Sequence, residues 1–345
     1  LHGAYRAQTK GSGVLRTRLC ELLGIMHPII NAPMAGPAKA ELAAAVAEAG
    51  GLGLIGGSSG DAEWLRQQIR AVRERTDRPF GVGFISSFPG LDRLVATAIE
   101  ERVPVITHSF ADPTPYVAAA HAAGILVLAQ VQTVAQAVRA AQAGVDAITA
   151  QGVEAGGHTG TSSATLPLVP AVIDAVGDIP VIAAGGIADG RGLAAVLMLG
   201  AEVAWIGTRF AASRESAGSE WGKASIVGAG TDDTVLTKVY DTISGSPFPA
   251  GIADRVLQNA YTRTWHGREQ ELVPDRERWR RVLQEASEHG DPQLAAVRAG
   301  NAAGLIRAIE PAGDILRRIV TEAEAILRQR PAQLLREPWE QEGER

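Results

Sequence analysis

The sequence predicts an α/β protein: a (β/α)8 barrel with a smaller lid subdomain inserted after the eighth strand. Three observations predict it. From Pro28 to Phe210, short Val- and Ile-rich runs alternate with longer Ala-rich amphipathic stretches. The short runs are apolar and bounded by glycine, as strands buried on both faces require. Eight of them occur, and no long break follows the third or fourth, which favours a closed barrel over a doubly wound sheet.

The predicted strands are PIINAP, GLGLIGG, PFGVGFI, VPVITHS, ILVLAQV, VDAITAQ, IPVIAAG and AEVAWIGT. Between them lie AKAELAAAVAEAG, DAEWLRQQIRAVRER, LDRLVATAIEER, DPTPYVAAAHAAG, TVAQAVRAAQAG, TLPLVPAVIDAVG and DGRGLAAVLMLG, all with helical periodicity. Asp61, Thr133 and Asp189 stand where N-caps belong, and Gly50, Gly124, Gly144 and Gly200 follow the last helical turns. Residues 1–14 read as a disordered leader and 15–213 as the barrel. Residues 214–300, with Trp221, Tyr240, Tyr261, Trp265, Trp279 and the turn-rich SGSPFPAG, read as a mostly helical or irregular lid. Residues 301–345 read as helical sequence packing back on the barrel, ending in a frayed tail.

Composition narrows the function. With 345 residues, 46% hydrophobic and 21% charged, the chain has ample core-forming sequence. A net charge of −5 without a basic stretch argues against nucleic acid as a partner. The single cysteine, Cys20, excludes an internal disulfide, and no His/Cys/Asp cluster has metal-ligand spacing. The most apolar stretch, VAAAHAAGILVLAQV, is interrupted by His121 and Gly124, so no membrane span is predicted. A cytoplasmic protein is expected, either monomeric or a homo-oligomer.

In a barrel the strand C-termini converge on one mouth. That collects Asn31, Ala32, Pro33 and Met34 after the first strand, and His108 and Gln130 at the fourth and fifth. It adds Gln151 and QGVEAGGHTG after the sixth, with Gly156, Gly157 and His158. Gly185 and Gly186 follow the seventh strand, and Gly207 and Thr208 the eighth. Loops at those last two positions commonly hold phosphate through backbone N–H groups. Backbone at Ala32 and Met34 suits a flat cofactor. His158, behind two glycines, is the candidate general acid/base; Glu154 is either a second such group or a helix cap. The G-x-G-x-x-G of Gly51, Gly53 and Gly56 lies inside a strand rather than opening a helix, so it is read as packing and not as a dinucleotide site.

Taken as a set, APMAG, AGGLG, QGVEAGGHTG, PVIAAGGIADGRG and GTRF resemble the FMN-dependent nitronate monooxygenases, from about Leu15 to Gln329. FabK-type enoyl-acyl-carrier-protein reductases and NAD(P)H:quinone reductases share most of the set. The resemblance implies a TIM barrel with FMN at its mouth, Ala32–Met34 along the flavin ring and Gln151 near the ring or ribityl chain. It places Gly185, Gly186, Gly207 and Thr208 on the phosphate and His158 beside the flavin. The implied reaction is oxidation of alkyl nitronates by O2 to carbonyl compounds and nitrite. The alternatives are an NAD(P)H-dependent reductase and a non-catalytic flavin-binding protein. Gly83, where relatives carry asparagine, and Gln130 depart from the pattern and bear on the substrate.

Overall fold

The computed structural model describes residues 15–335; the leader and the tail beyond residue 335 lie outside the described residues. The strands are β1 (Ile29–Asn31), β2 (Gly53–Gly56), β3 (Phe80–Ile85), β4 (Val105–Ser109), β5 (Leu126–Val131), β6 (Ala147–Gln151), β7 (Gly157–Gly160), β8 (Val181–Ala184), β9 (Val203–Ile206), β10 (Thr234–Thr237) and β11 (Ile252–Leu257). Eight run parallel in the order β1-β9-β8-β6-β5-β4-β3-β2. A parallel bridge from Ile30 to Leu52 closes the ring. These are the eight runs read from the sequence, each followed by a helix, that of β6 coming only after β7 and that of the last being the short Thr208–Ala211 turn. The fold is a TIM barrel.

Local sequence chemistry sets the helix ends. The Asp61 and Asp189 carboxylates accept backbone N–H bonds from the first turns that follow them. Thr133 and Gln136 form a reciprocal capping box. Gly50, Gly124, Gly144 and Gly200 all sit at positive φ just past a helix, where a β-carbon is disfavoured. The C-terminal helix Ala312–Leu334 begins only after Pro311, which fixes the backbone at its N-terminus.

The apolar side chains divide into two layers. Ile30, Leu52, Leu54, Val105, Leu128, Ala147, Ile182, Val203 and Trp205 fill the barrel interior, and Leu19, Cys20 and Leu23 of helix Arg18–Leu23 plug it from below. The outward-facing strand residues pack on the helices, including Ile315, Leu316 and Ile319 of the last one. Burial pushes the Cys20 thiol up, so it acts as a packed apolar group.

The G-x-G-x-x-G glycines serve this packing. A β-carbon at Gly51 would lie 2.7 Å from the Ile29 carbonyl oxygen, at Gly53 1.8 Å from that of Ala43, and at Gly56 2.5 Å from that of Met34. Backbone fills the space that side chains would need.

One expectation is corrected here. His108 does not face the mouth. Ser109 lines it, and neighbouring strand residues point oppositely. The His108 ring lies among the outer helices, stacked on Tyr116 with centroids 5.0 Å apart, its Nδ1 2.9 Å from Ser86 Oγ. Burial lowers its pKa from 6.5 to about 4, because the charged ring would be desolvated. Between those values the unfolded chain takes up a proton that the folded one refuses, so stability falls as pH drops through that window. His108→Phe, which cannot titrate, is expected to lose about 2 kcal/mol less than wild type between pH 7 and pH 5. Urea unfolding at both pH values checks this; parallel losses would remove His108 from the account.

After β9 the chain builds a second, three-stranded antiparallel sheet, β10-β11-β7. Segment 214–300, expected to be mostly helical or irregular, carries β10 and β11 beside the helices Glu220–Gly228, Val239–Ser244, Ala260–Trp265 and Arg276–His289. Their third partner, β7, is the GHTG of the His158 motif. No helix among the described residues is long and apolar enough to cross a membrane.

Candidate functional site

A cavity of about 520 Å³ opens at the C-terminal mouth of the barrel, within the size range of small-molecule sites. Ala32, Pro33, Met34, Gln130, Gln151, Gly156, Gly157, His158, Gly185, Gly186, Gly207 and Thr208 all line it. Asn31 does not. It is fully buried, its amide donating to the Ala32 and Leu54 carbonyls and accepting from the Leu54 N–H. It ties β1 to β2 and is removed from the cofactor-binding set.

The wall is held in place by backbone. Ala32 N–H donates to the Ile206 carbonyl at 2.9 Å and Met34 N–H to the Ala32 carbonyl at 2.8 Å, which fixes the 32–34 turn against β9. A β-carbon at Gly207 would come 3.5 Å from Ala32 Cβ and 3.9 Å from Met34 Sδ, so glycine keeps that space free. Gly185 and Gly186 hold φ of +105° and +74°, a region L side chains avoid. Thr208 Oγ1 accepts from Gly300 N–H at 2.9 Å. Glu154 caps the next helix: its carboxylate accepts from the N–H and hydroxyl of Thr165. That resolves its two readings in favour of the cap.

Three glutamines share one inner face. Gln151 Oε1 accepts from Gln130 Nε2 at 2.9 Å and from Gln132 Nε2 at 3.0 Å, while Gln151 Nε2 donates to the His158 carbonyl at 3.2 Å. The buried amides thus orient one another. Gln132 was missed from sequence, although it lies two residues beyond Gln130 and so on the same side.

His158 sits at the edge of the cavity, its Nε2 2.9 and 3.1 Å from the two carboxylate oxygens of Asp241. Phe248, in the SGSPFPAG loop, stacks on the imidazole with centroids 3.5 Å apart. Phe88 and Phe110 meet Phe248 edge-on at 5.2 and 5.3 Å. Phe110 itself holds a φ of +67°, unusual for an aromatic residue. Asp254 pairs in register with His158, is buried, and lies 2.9 Å from Arg298 Nη2. That carboxylate, with Asp241 nearby, holds the Arg298 guanidinium firmly protonated. Burial pushes the neighbouring Tyr240 hydroxyl up to about 12, so it stays neutral. His158, Asp241 and Asp254 bring potential ligand atoms within 4.8 Å of one another, a cluster that sequence spacing did not show. Asp241, Phe248, Asp254 and Arg298 come from a helix, a loop, β11 and the segment after helix Arg276–His289, about 83 to 140 residues beyond His158, and no local pattern in the sequence points to them.

Gly83 also has a local reason. A β-carbon there would lie 2.3 Å from Pro33 Cγ and 2.9 Å from Thr107 Cγ2. The Pro33 ring occupies the space that an asparagine would take.

Comparison with known proteins gives a consistent result. Thermotoga maritima FabK aligns with a TM-score of 0.84 at 39% identity, covering 92% of this chain and 99% of that one. A nitroalkane oxidase from Streptomyces ansochromogenes aligns at 0.80 with 31% identity, covering 91% and 100%. A Rhodococcus jostii (3aS,4S,5R,7aS)-5-hydroxy-7a-methyl-1-oxo-octahydro-1H-indene-4-carboxyl-CoA dehydrogenase is 38% identical over 66% of this chain, and the chain spans 64% of that relative's length. The nitronate monooxygenase family model matches residues 16–91 and 86–322. The chain belongs to the nitronate monooxygenase family of oxidoreductases.

Proposed function

We propose that this protein is an FMN-dependent oxidoreductase that converts nitroalkanes and alkyl nitronates, with O2, to carbonyl compounds and nitrite. The observation that carries the reading is His158, the one imidazole among the described residues that lines the cavity, in a wall that also includes the glycines and backbone of the strand ends. Such a wall fits a flat group with a phosphate tail. Ala32–Met34 would flank the ring, Gln130 and Gln151 would meet its polar edge, and the amides of Gly185, Gly186, Gly207 and Thr208 would hold the phosphate. Gly156 packs against the backbone of Ala299 and Gly300, and Gly157 holds a φ of +71° just before His158. FMN, when bound, supplies the electron transfer between substrate and O2.

The protein's own residues bind the substrate and manage its proton. Neutral His158 takes the acidic α-proton of a nitroalkane; as imidazolium it holds a nitronate anion by a charge-assisted hydrogen bond. Phe88, Phe110 and Phe248 give the alkyl chain an apolar wall. We assign segment 214–300 to the substrate side as a lid, since Trp221, Phe248 and Arg298 reach the cavity from it.

The similarity to FabK supports a second reading, an NAD(P)H-dependent reductase on the same scaffold. Anaerobic mixing of the yellow protein separates the two. Ethyl nitronate is expected to bleach the flavin absorbance while NAD(P)H leaves it unchanged. Rapid bleaching by NAD(P)H would reassign the protein to the reductases. Bleaching by neither would leave a flavin-binding protein without either activity.

A further inference from the structure

The His158 ring is held from two sides. Its Nε2 meets both carboxylate oxygens of Asp241 at 2.9 and 3.1 Å, and Phe248 covers one face. The side chains of His158 and Asp241 are 12% and 13% exposed, so water competes little for this bond. The second carboxylate nearby, that of Asp254, is engaged by Arg298 at 2.9 Å. Asp241 is therefore the carboxylate that meets the ring nitrogen.

We propose that Asp241 is the positioning residue of the proton-transfer step: it fixes the His158 tautomer, and with it the atom that acts as base. An ionised carboxylate only accepts hydrogen bonds, and a neutral imidazole has one donor and one acceptor nitrogen. Facing Asp241, neutral His158 carries its hydrogen on Nε2 and keeps the Nδ1 lone pair for the substrate. When the substrate's α-C–H bond breaks, its electron pair moves onto the nitro group and the proton goes to Nδ1. The imidazolium so formed stays hydrogen-bonded to Asp241, which stabilises the charge as it develops. Arg298 and Asp254 cancel one another beside the ring. A preformed nitronate has already lost this proton, so its turnover does not need the step.

The inference rests on the proposed function for its substrate, and the test separates the two. In the FMN-loaded full chain, Asp241→Asn is expected to lower kcat on nitroethane by about 10²–10⁴-fold, the range of a lost acid/base contribution. KM for nitroethane and FMN content should change little, and kcat on ethyl nitronate should fall far less than on nitroethane, while KM for the nitronate rises because the imidazolium that holds the anion loses Asp241. Asp241→Glu should restore part of the nitroethane rate. Nitrogen-15 NMR of the ring, with the His158 signals identified by their loss in His158→Asn, should show the Nε2–H tautomer in wild type and a mixed or reversed population in Asp241→Asn. Equal losses on both substrates, no loss on either, or a wild-type ring protonated on Nδ1 when neutral would overturn the assignment. If wild type turns over neither nitro substrate, the proposed reaction fails, while the tautomer spectra still decide the role of Asp241.

Discussion

His158→Asn is expected to give a folded, yellow protein that has lost about 10²–10⁴-fold of its turnover of nitroalkanes. Asparagine fits the β7 position, and the β7–β11 pairing that places it is made by backbone: Thr159 opposite Ala253 and His158 opposite Asp254. What disappears is the only imidazole that lines the cavity among the described residues. An amide cannot take a proton and release it near neutral pH. It also leaves Asp241 without its ring partner, 2.9 Å away, and uncovers the Phe248 face that the ring had stacked on. The cavity wall of Ala32–Met34, Gly185, Gly186, Gly207 and Thr208, proposed to hold the flavin, is untouched, so flavin content is expected to hold. Steady-state nitrite release from nitroethane, normalised to bound flavin, reads the effect. Unchanged release would remove His158 from the chemistry.

Gly53→Ala carries the largest expected cost in stability, at least about 3 kcal/mol. Its β-carbon would lie 1.8, 2.5 and 2.8 Å from the carbonyl oxygen, carbonyl carbon and Cα of Ala43. All three are backbone atoms of helix Ala40–Glu48, so no rotamer change relieves the clash. Either the helix lifts from β2 or the strand shifts against β3. Gly124→Ala is the control. It imposes a φ of +75° on alanine but meets nothing within 4 Å, which costs about 1–2 kcal/mol. Urea unfolding of the two variants should separate them clearly. Equal destabilisation would show that the β2–helix contact has slack which the rigid geometry denies.

The barrel was legible because each of its strands is a local apolar run ended by glycine, and each helix brings its own cap. VDAIT and VIAA need no distant residue to declare themselves. GHTG does. It has two glycines, no alternating pattern and no β-branched pair, and it becomes β7 only by pairing with β11, about a hundred residues later in the chain. The cavity wall could be read for the same reason as the barrel, since it consists of strand ends. The surroundings of His158 could not, because Asp241 lies 83 residues away, on the short helix Val239–Ser244 between β10 and β11. Two errors had a signal available. Strand alternation with Ser109 already turns His108 outward, and Asn31 in a fully apolar strand is the pattern of a side chain bonded to neighbouring backbone.

The chain leaves the barrel at Gln151, crosses to the second sheet as β7, and returns for β8. His158 is therefore mounted on the seam between two architectures. A chimaera that keeps every barrel residue but takes 234–257 from a relative would exchange the neighbours of the imidazole, Asp241 and Asp254 included, while keeping the strand-end cradle. The surroundings of His158 and the strand-end wall of the cavity are in that sense separable by sequence position.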